Sequence, residues 1–263
     1  ELPFKVGVLA PLSGNGSKKA SSLRERKMVS VERGNFDSVL AAINPNLNFK
    51  VKNTVQENGS DLAVNLSFLS MSDFSPLAIV KQVPALNEMH SSRSKLRDLM
   101  SKLDSQDALV GALSSVVLDE ERLQKVTNLF AEAKSEIEAA GNQEDPSAVM
   151  SAIPEEELQE GSELHDLIHG SGMALEEFQV PYCLELLSEF FNHPELSSTA
   201  KVEGGSLAAA LSSAMSMLDS VISRQLNHVL HSGEFQELEA SWRGLAYLVN
   251  NTQTGSNLKL SVL

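Results

Sequence analysis

Two histidines four residues apart, His165 and His169, have the spacing in this chain that most resembles chemistry. On a helix they would share one turn, as the zinc-binding pair of zinc peptidases does, with Asp166 where those enzymes carry Glu. The helix that holds them is short, Gly170 and Gly172 follow at once, and His193 is a distant third ligand. The spacing therefore predicts an exposed helix face and no metal. Residues 13–19, Ser-Gly-Asn-Gly-Ser-Lys-Lys, follow a predicted strand and are glycine-rich like a phosphate loop. They lack the G-x-x-x-x-G-K-[ST] spacing and no helix begins there, so a surface loop is expected. His228 and His231 read as surface or partly buried side chains. Cys183, between Tyr182 and Leu184 with no base near it in sequence, reads as a buried structural thiol. Glu155, Glu156 and Glu157 form a solvated charge run. These groups build no active site, and the expectation is a chain with no catalytic residue, no cofactor and no enzymatic activity.

The elements that would position these residues change character along the chain. Phe4 to Ala10 reads as a strand, Lys27 to Val31 as a short second one, and Asn35 as the cap of a brief helix from Phe36 to Ile43. Residues 47–52 and 62–68 alternate apolar and polar side chains and predict paired strands around a turn at 57–60. Ser75-Pro76 is a helix entry, with a capping hydroxyl before a proline at the first helical position. Pro84 would cost about 3 kcal/mol inside a helix, so a break is expected there. A long helix resumes through Leu86, Met89, Leu96, Leu99 and Leu103, and another spans about Leu118 to Ala139. Helices follow at 182–191, from Ser206 to Val229 after Gly204-Gly205, and at 235–249, and an alternating strand closes the chain at 257–263. The expected class is α+β: a small mixed sheet from the first half packed with long helices, and a mainly α-helical second half ending in a strand. The two halves are expected to fold against each other, because helices with an apolar face and no sheet of their own need one to cover.

Charge divides the chain as well. Residues 1–149 carry 17 Lys/Arg against 19 Asp/Glu, whereas residues 150–263 carry 4 against 16, so the net charge steps from −2 to −12. The acidic half would repel phosphate backbones and the first half has no basic stripe, which argues against nucleic acid as a partner. No apolar run approaches the roughly 18 residues of a membrane span, so membrane insertion is not expected. One cysteine and no visible secretory signal point to the cytoplasm. Residues 141–160, with Gly141, Pro146 and a polar composition, read as a flexible junction between segments 1–149 and 150–263. Met150 reads as a native start for the second segment. Glu1 in place of Met, and an apolar strand at the last residue, predict that the sequence is a trimmed piece.

The stretch from Glu234 to Val249 holds the single Trp of the chain. Phe235, Leu238, Trp242, Leu245 and Val249 recur at steps of three or four, which predicts a helix with a buried aromatic face. The string Leu238-Glu-Ala-Ser-Trp-Arg-Gly-Leu245, with residues 225–231 before it and 250–252 after it, resembles the large subunit of the type VI secretion sheath, the TssC or VipB family. In the first half, residues 25–27, 35–40, 73–76 and 81–86 resemble the small sheath subunit, TssB or VipA, over residues 1 to about 140.

This resemblance implies a structural fragment of a contractile sheath, assembled with other sheath subunits around an inner tube protein and dismantled by the ClpV AAA+ ATPase. It also implies a ClpV-recognised helix near the start of the large subunit. Residues 161–170 match it in position and pattern: Leu164, Leu167 and Ile168 form one narrow apolar stripe, Ser162 caps the start and Gly170 ends the turn left-handed. The alternative is that these three side chains pack on their own protomer. With both ends trimmed, the chain alone is expected to form no tubes. The rival from another class is an acidic helical adaptor or regulatory binding module, which would form a stable soluble complex with a signalling partner where a sheath subunit would polymerise.

Overall fold

The computed structural model describes residues 4–15, 27–55, 60–140, 147–193, 196, 206–255 and 257–263. The expected turn at 57–60 (apart from Ser60), the part of the glycine-rich loop at 16–19, Gly204-Gly205 and the part of the junction at 141–146 lie outside the described residues. The α+β class holds. The chain forms two compact units, one from residues 1–89 and 221–263, the other from residues 90–220.

In the first unit, β1 (Phe4–Val8), β2 (Val29–Val31) and β5 (Leu258–Val262) make a mixed sheet in the order β1-β5-β2. β5 runs parallel to β1, with Phe4 opposite Leu258 and Val8 opposite Val262, and antiparallel to β2, with Val31 opposite Leu260. The central strand of the mixed sheet thus comes from the second half of the chain. A separate antiparallel pair, β3 (Asn46–Lys52) and β4 (Asp61–Ser67), carries the expected alternation: Leu47, Phe49, Val51, Val64 and Leu66 are buried and their neighbours turn outward. So the described strands form two sheets, not one.

α1 (Phe36–Ile43) is where the sequence placed it, but Asn35 does not cap it with its side chain. The Asn35 carboxamide instead accepts from the Glu32 N–H at 2.8 Å and donates to the Ser30 carbonyl at 3.1 Å, bracing the turn before the helix. Ser75 does cap α2 (Pro76–Gln82), accepting from the Ala78 N–H. Val83 is extended, so Pro84 opens α3 (Pro84–Ser105) instead of sitting inside a continuous helix.

The second unit takes most of α3, then α4 (Asp107–Leu118), α5 (Glu120–Ala140), α6 (Ala148–Ala152), α7 (Glu163–His165) and α8 (Val180–Phe191). α9 (Leu207–Leu230) and α10 (Gly233–Asn251) follow, and Val221 onward belongs to the first unit. α4 was not expected from the sequence. Its buried Leu109, Leu113, Val116 and Val117 share one apolar core with Leu96, Leu99 and Leu103 of α3 and with Leu184, Leu187 and Phe190 of α8. Phe130 of α5 stacks on Phe191 at 5.7 Å. No helix among the described residues is long and apolar enough to cross a membrane.

Candidate functional site

Helix α10 packs against β3 and the 3-10 turn Met71–Phe74. Ser232 caps the helix, its hydroxyl accepting from the Phe235 N–H at 3.4 Å. Phe235, Leu238, Trp242, Leu245 and Val249 are all buried, as their spacing predicted. The indole Nε1 of Trp242 donates to the Leu12 carbonyl at 3.0 Å, and Phe36 meets the ring edge-on at 5.9 Å. Phe235 lies 6.2 Å from both members of the stacked pair Phe68 and Phe74. Gln225 in α9 is fully buried: its carboxamide accepts from the Thr54 N–H and hydroxyl at 2.6 and 2.9 Å and donates to the Lys52 carbonyl at 3.1 Å. A buried polar side chain so placed is satisfied on both sides and fixes α9 to the end of β3. A glutamine on an otherwise amphipathic helix gives no local sign of its partner.

Among the described residues the mixed sheet β1-β5-β2 is unpaired at both edges. The Phe4 N–H donates to Asn257 and the Val8 carbonyl accepts from Leu263, so by alternation Lys5 and Gly7 turn their main-chain groups away from β5. No described strand pairs with that side of β1, nor with the far side of β2. Phe4, Leu9, Met28 and Val29 are exposed beside these edges. Gly7 leaves room for Met28, whose terminal methyl lies 2.5 Å from where a Cβ would stand. An exposed, apolar-flanked edge is a template for a strand from another chain.

The described part of the glycine-rich loop, residues 13–15, is held against β3, the Ser13 carbonyl accepting from the Asn46 N–H at 3.1 Å. Asn15 exchanges two hydrogen bonds with the main chain of Asn48, and Gly14, at φ +72°, sits where a Cβ would be 2.2 Å from the Asn46 carbonyl oxygen. A cleft of about 610 Å³ beside it is lined by Pro11, Leu12, Ile43, Leu47, Glu234 and Leu238, among others.

The structure places the 161–170 segment differently from the expected docking stripe. Ser162 does cap it, accepting from the His165 N–H at 3.2 Å. α7 then passes into a π-helical turn, Asp166–Gly170, so Gly170 does not end it in a left-handed turn; Gly172, at φ +77°, takes that conformation. Leu164, Leu167 and Ile168 are at most 2% exposed and lie within the apolar core of the second unit. Lys102 donates to the Met173 carbonyl and Gln106 to the Gly172 carbonyl, each at 2.8 Å, tying down the chain that follows. In this arrangement the stripe faces its own core. The rings of His165 and His169 lie 4.9 Å apart, and no group of three or more metal-ligating side chains occurs among the described residues. His228 and His231 are exposed. Burial pushes the Cys183 thiol up, which Lys102 only partly opposes, and its Sγ donates to the Met173 carbonyl at 3.4 Å. A thiol so placed resists forming the nucleophilic thiolate. Of the charge run, Glu155 and Glu156 are exposed, but Glu157 pairs with Lys125 at 2.8 Å.

One polar cluster went unseen in the sequence. Ser92 of α3 donates to Glu189 of α8, and His193 Nε2 lies 2.8 Å from the same carboxylate oxygen and 3.3 Å from the Ser92 hydroxyl. The same imidazole nitrogen faces both partners, so this is not a relay in which one ring nitrogen takes a proton from serine while the other is held by the acid. It is a pin between two helices. Burial alone would raise the Glu189 carboxyl. The hydrogen bonds from His193 and Ser92, with the charges of His193 and Lys95, outweigh it and hold the group below the usual carboxylate range. A depressed folded pKa contributes stability that is present above the unfolded value of about 4.3 and is lost as pH falls through the folded value. Glu189→Gln should therefore flatten the acid limb of a plot of Tm against pH below about pH 4. Circular dichroism melts across that range check it, and an unchanged acid limb would show the cluster to be energetically idle.

Comparison with known proteins bears on the open sheet. Residues 1–131 match the type VI secretion system VipA family, and residues 212–263 match the EvpB tail sheath N-terminal domain, the VipB family. Over 128 residues the chain is 30% identical to the type VI secretion system sheath protein TssB1 of Pseudomonas aeruginosa, covering 49% of this chain and 74% of that protein. Over 54 residues it is 46% identical to the sheath protein TssC1 of the same organism, covering 20% of this chain but 11% of that protein. The 161–170 segment lies between the two matched stretches.

Proposed function

Because the chain belongs to the VipA/TssB family of type VI secretion sheath proteins and its residues 212–263 match the VipB tail sheath N-terminal domain, we propose that it builds the wall of a contractile sheath around an inner tube in the bacterial cytoplasm. The observation that carries this reading is β5. A strand from the large-subunit-like part enters between two strands of the small-subunit-like part, so the two parts make one sheet. The work of such a protein is mechanical, and we assign it no catalysis. Its free energy would reside in contacts between protomers, with the outward main-chain groups of β1 and β2 receiving strands from neighbours. Recycling by the ClpV ATPase belongs to the same reading. Recognition of Leu164, Leu167 and Ile168 would then follow release of the 161–170 segment from its core, as on a contracted or strained protomer.

Lys5→Pro tests the assembly role. Proline at this position removes an N–H that points away from β5 and leaves the β1–β5 bonds in place. The variant should keep the circular dichroism of the parent. When co-produced with the remaining part of a large sheath subunit, it should stay in the supernatant under conditions that sediment the parent's assemblies. Sedimentation equal to the parent's would remove the β1 edge from the account.

A further inference from the structure

Leu175 and Phe178 are the most exposed large apolar side chains among the described residues, at 80% and 79%, and Tyr182 is 41% exposed. Phe178, in a single 3-10 turn, Glu177–Gln179, and Tyr182, four residues on in α8, lie at the start of one helix, and Leu175 stands just before the extended Glu176 that caps it. The segment is built, not loose. The Gln179 carboxamide accepts from the Leu175 N–H at 2.8 Å and from the Glu176 N–H at 3.3 Å, closing a capping box with Glu176. The Tyr182 hydroxyl donates to Asp98 at 2.6 Å, and burial together with that carboxylate pushes its pKa up to about 12, so the ring is held as a neutral donor. Glu176 and Glu177 are exposed between Leu175 and Phe178, and Asp98 lies beside Tyr182. Of the nearby cations, Arg97 is paired with Asp98 at 3.4 Å and Lys102 is turned to the Met173 carbonyl at 2.8 Å.

Two side chains held outward by a hydrogen-bonded frame and edged with carboxylates fit one kind of occupant. We propose that Leu175, Phe178 and Tyr182 form a docking site for an amphipathic helix of another protein, one whose apolar stripe is flanked by Lys or Arg. The exposed apolar side chains supply the anchors and the carboxylates choose the sign of the partner's flanks. The same carboxylates disfavour an anionic lipid surface and disfavour a second copy of this chain, whose second half is itself strongly acidic. The site lies between the two stretches that match sheath families, so it is independent of the sheath reading.

The test uses the whole chain and two synthetic 18-residue helices with the same leucine stripe, one flanked by lysines and the other by glutamates, in fluorescence anisotropy. The lysine helix should bind. Leu175→Ser with Phe178→Ser should weaken it by about tenfold or more without moving the Tm, since both positions are exposed. Glu176→Gln with Glu177→Gln should weaken it less and reduce its salt dependence. Equal binding of the lysine helix to the Leu175/Phe178 variant would overturn the proposal. So would preference for the glutamate helix, or self-association of the chain in sedimentation velocity that the same variant abolishes.

Discussion

Trp242→Ala should cost about 3–5 kcal/mol, the range for truncating a buried aromatic side chain, and against a typical domain stability of about 5–15 kcal/mol that is a large fraction. The loss has two parts. The cavity left by a fully buried indole takes away its contact with Phe36, and the Leu12 carbonyl loses its donor. Trp242→Phe separates them. It keeps most of the apolar ring and leaves the carbonyl without its bond, an effect of about 1–3 kcal/mol. Urea titrations followed by far-UV circular dichroism would rank the three proteins. The parent's emission, from its single tryptophan, should lie well to the blue of free indole in water. Alanine and phenylalanine variants equal in stability would show that the hydrogen bond dominates and the packing does not.

The second large effect concerns the 161–170 segment. Leu167→Asp with Ile168→Asp should abolish cooperative unfolding of the chain, because two carboxylates would enter a core that includes Leu164, Cys183 and Leu187. Removing a single buried leucine or isoleucine to alanine costs about 2–5 kcal/mol, and a buried unpaired charge adds several more. A melt unchanged from the parent would mean that the segment is not seated in the core in solution, and would restore it as an exposed stripe for ClpV. The milder Leu167→Ala keeps this distinction measurable if the double variant does not fold.

Much of the fold was legible because apolar periodicity is a local signal. β3, β4 and the face of α10 were each readable from a handful of consecutive residues, as were the break at Pro84 and the caps at Ser75 and Ser162. What was not legible depends on partners. The strand at the end of the chain announced itself by alternation, yet nothing local says that it enters between β1 and β2. α4 was missed because Gly111, the pair Ser114-Ser115 and the β-branched Val116 and Val117 lower helix propensity, and core packing overrides it. Leu164, Leu167 and Ile168 illustrate the deeper limit. A stripe at helical spacing looks the same whether it faces the protein's own core or a partner. Leu175 and Phe178 show the converse, since sequence alone assigns such residues to a core and the fold turns them outward.

β5 joins β1 and β2 in one sheet, and in the proposed function the edges of that sheet link sheath protomers. Electron microscopy of the chain co-produced with the remaining part of a large sheath subunit tests it most directly. The predicted result is hollow helical tubes that contain this chain, with β1-β5-β2 extended at its edges by strands from neighbouring protomers. A chain that remains in soluble complexes, or tubes in which both edges of that sheet are bare, would contradict it.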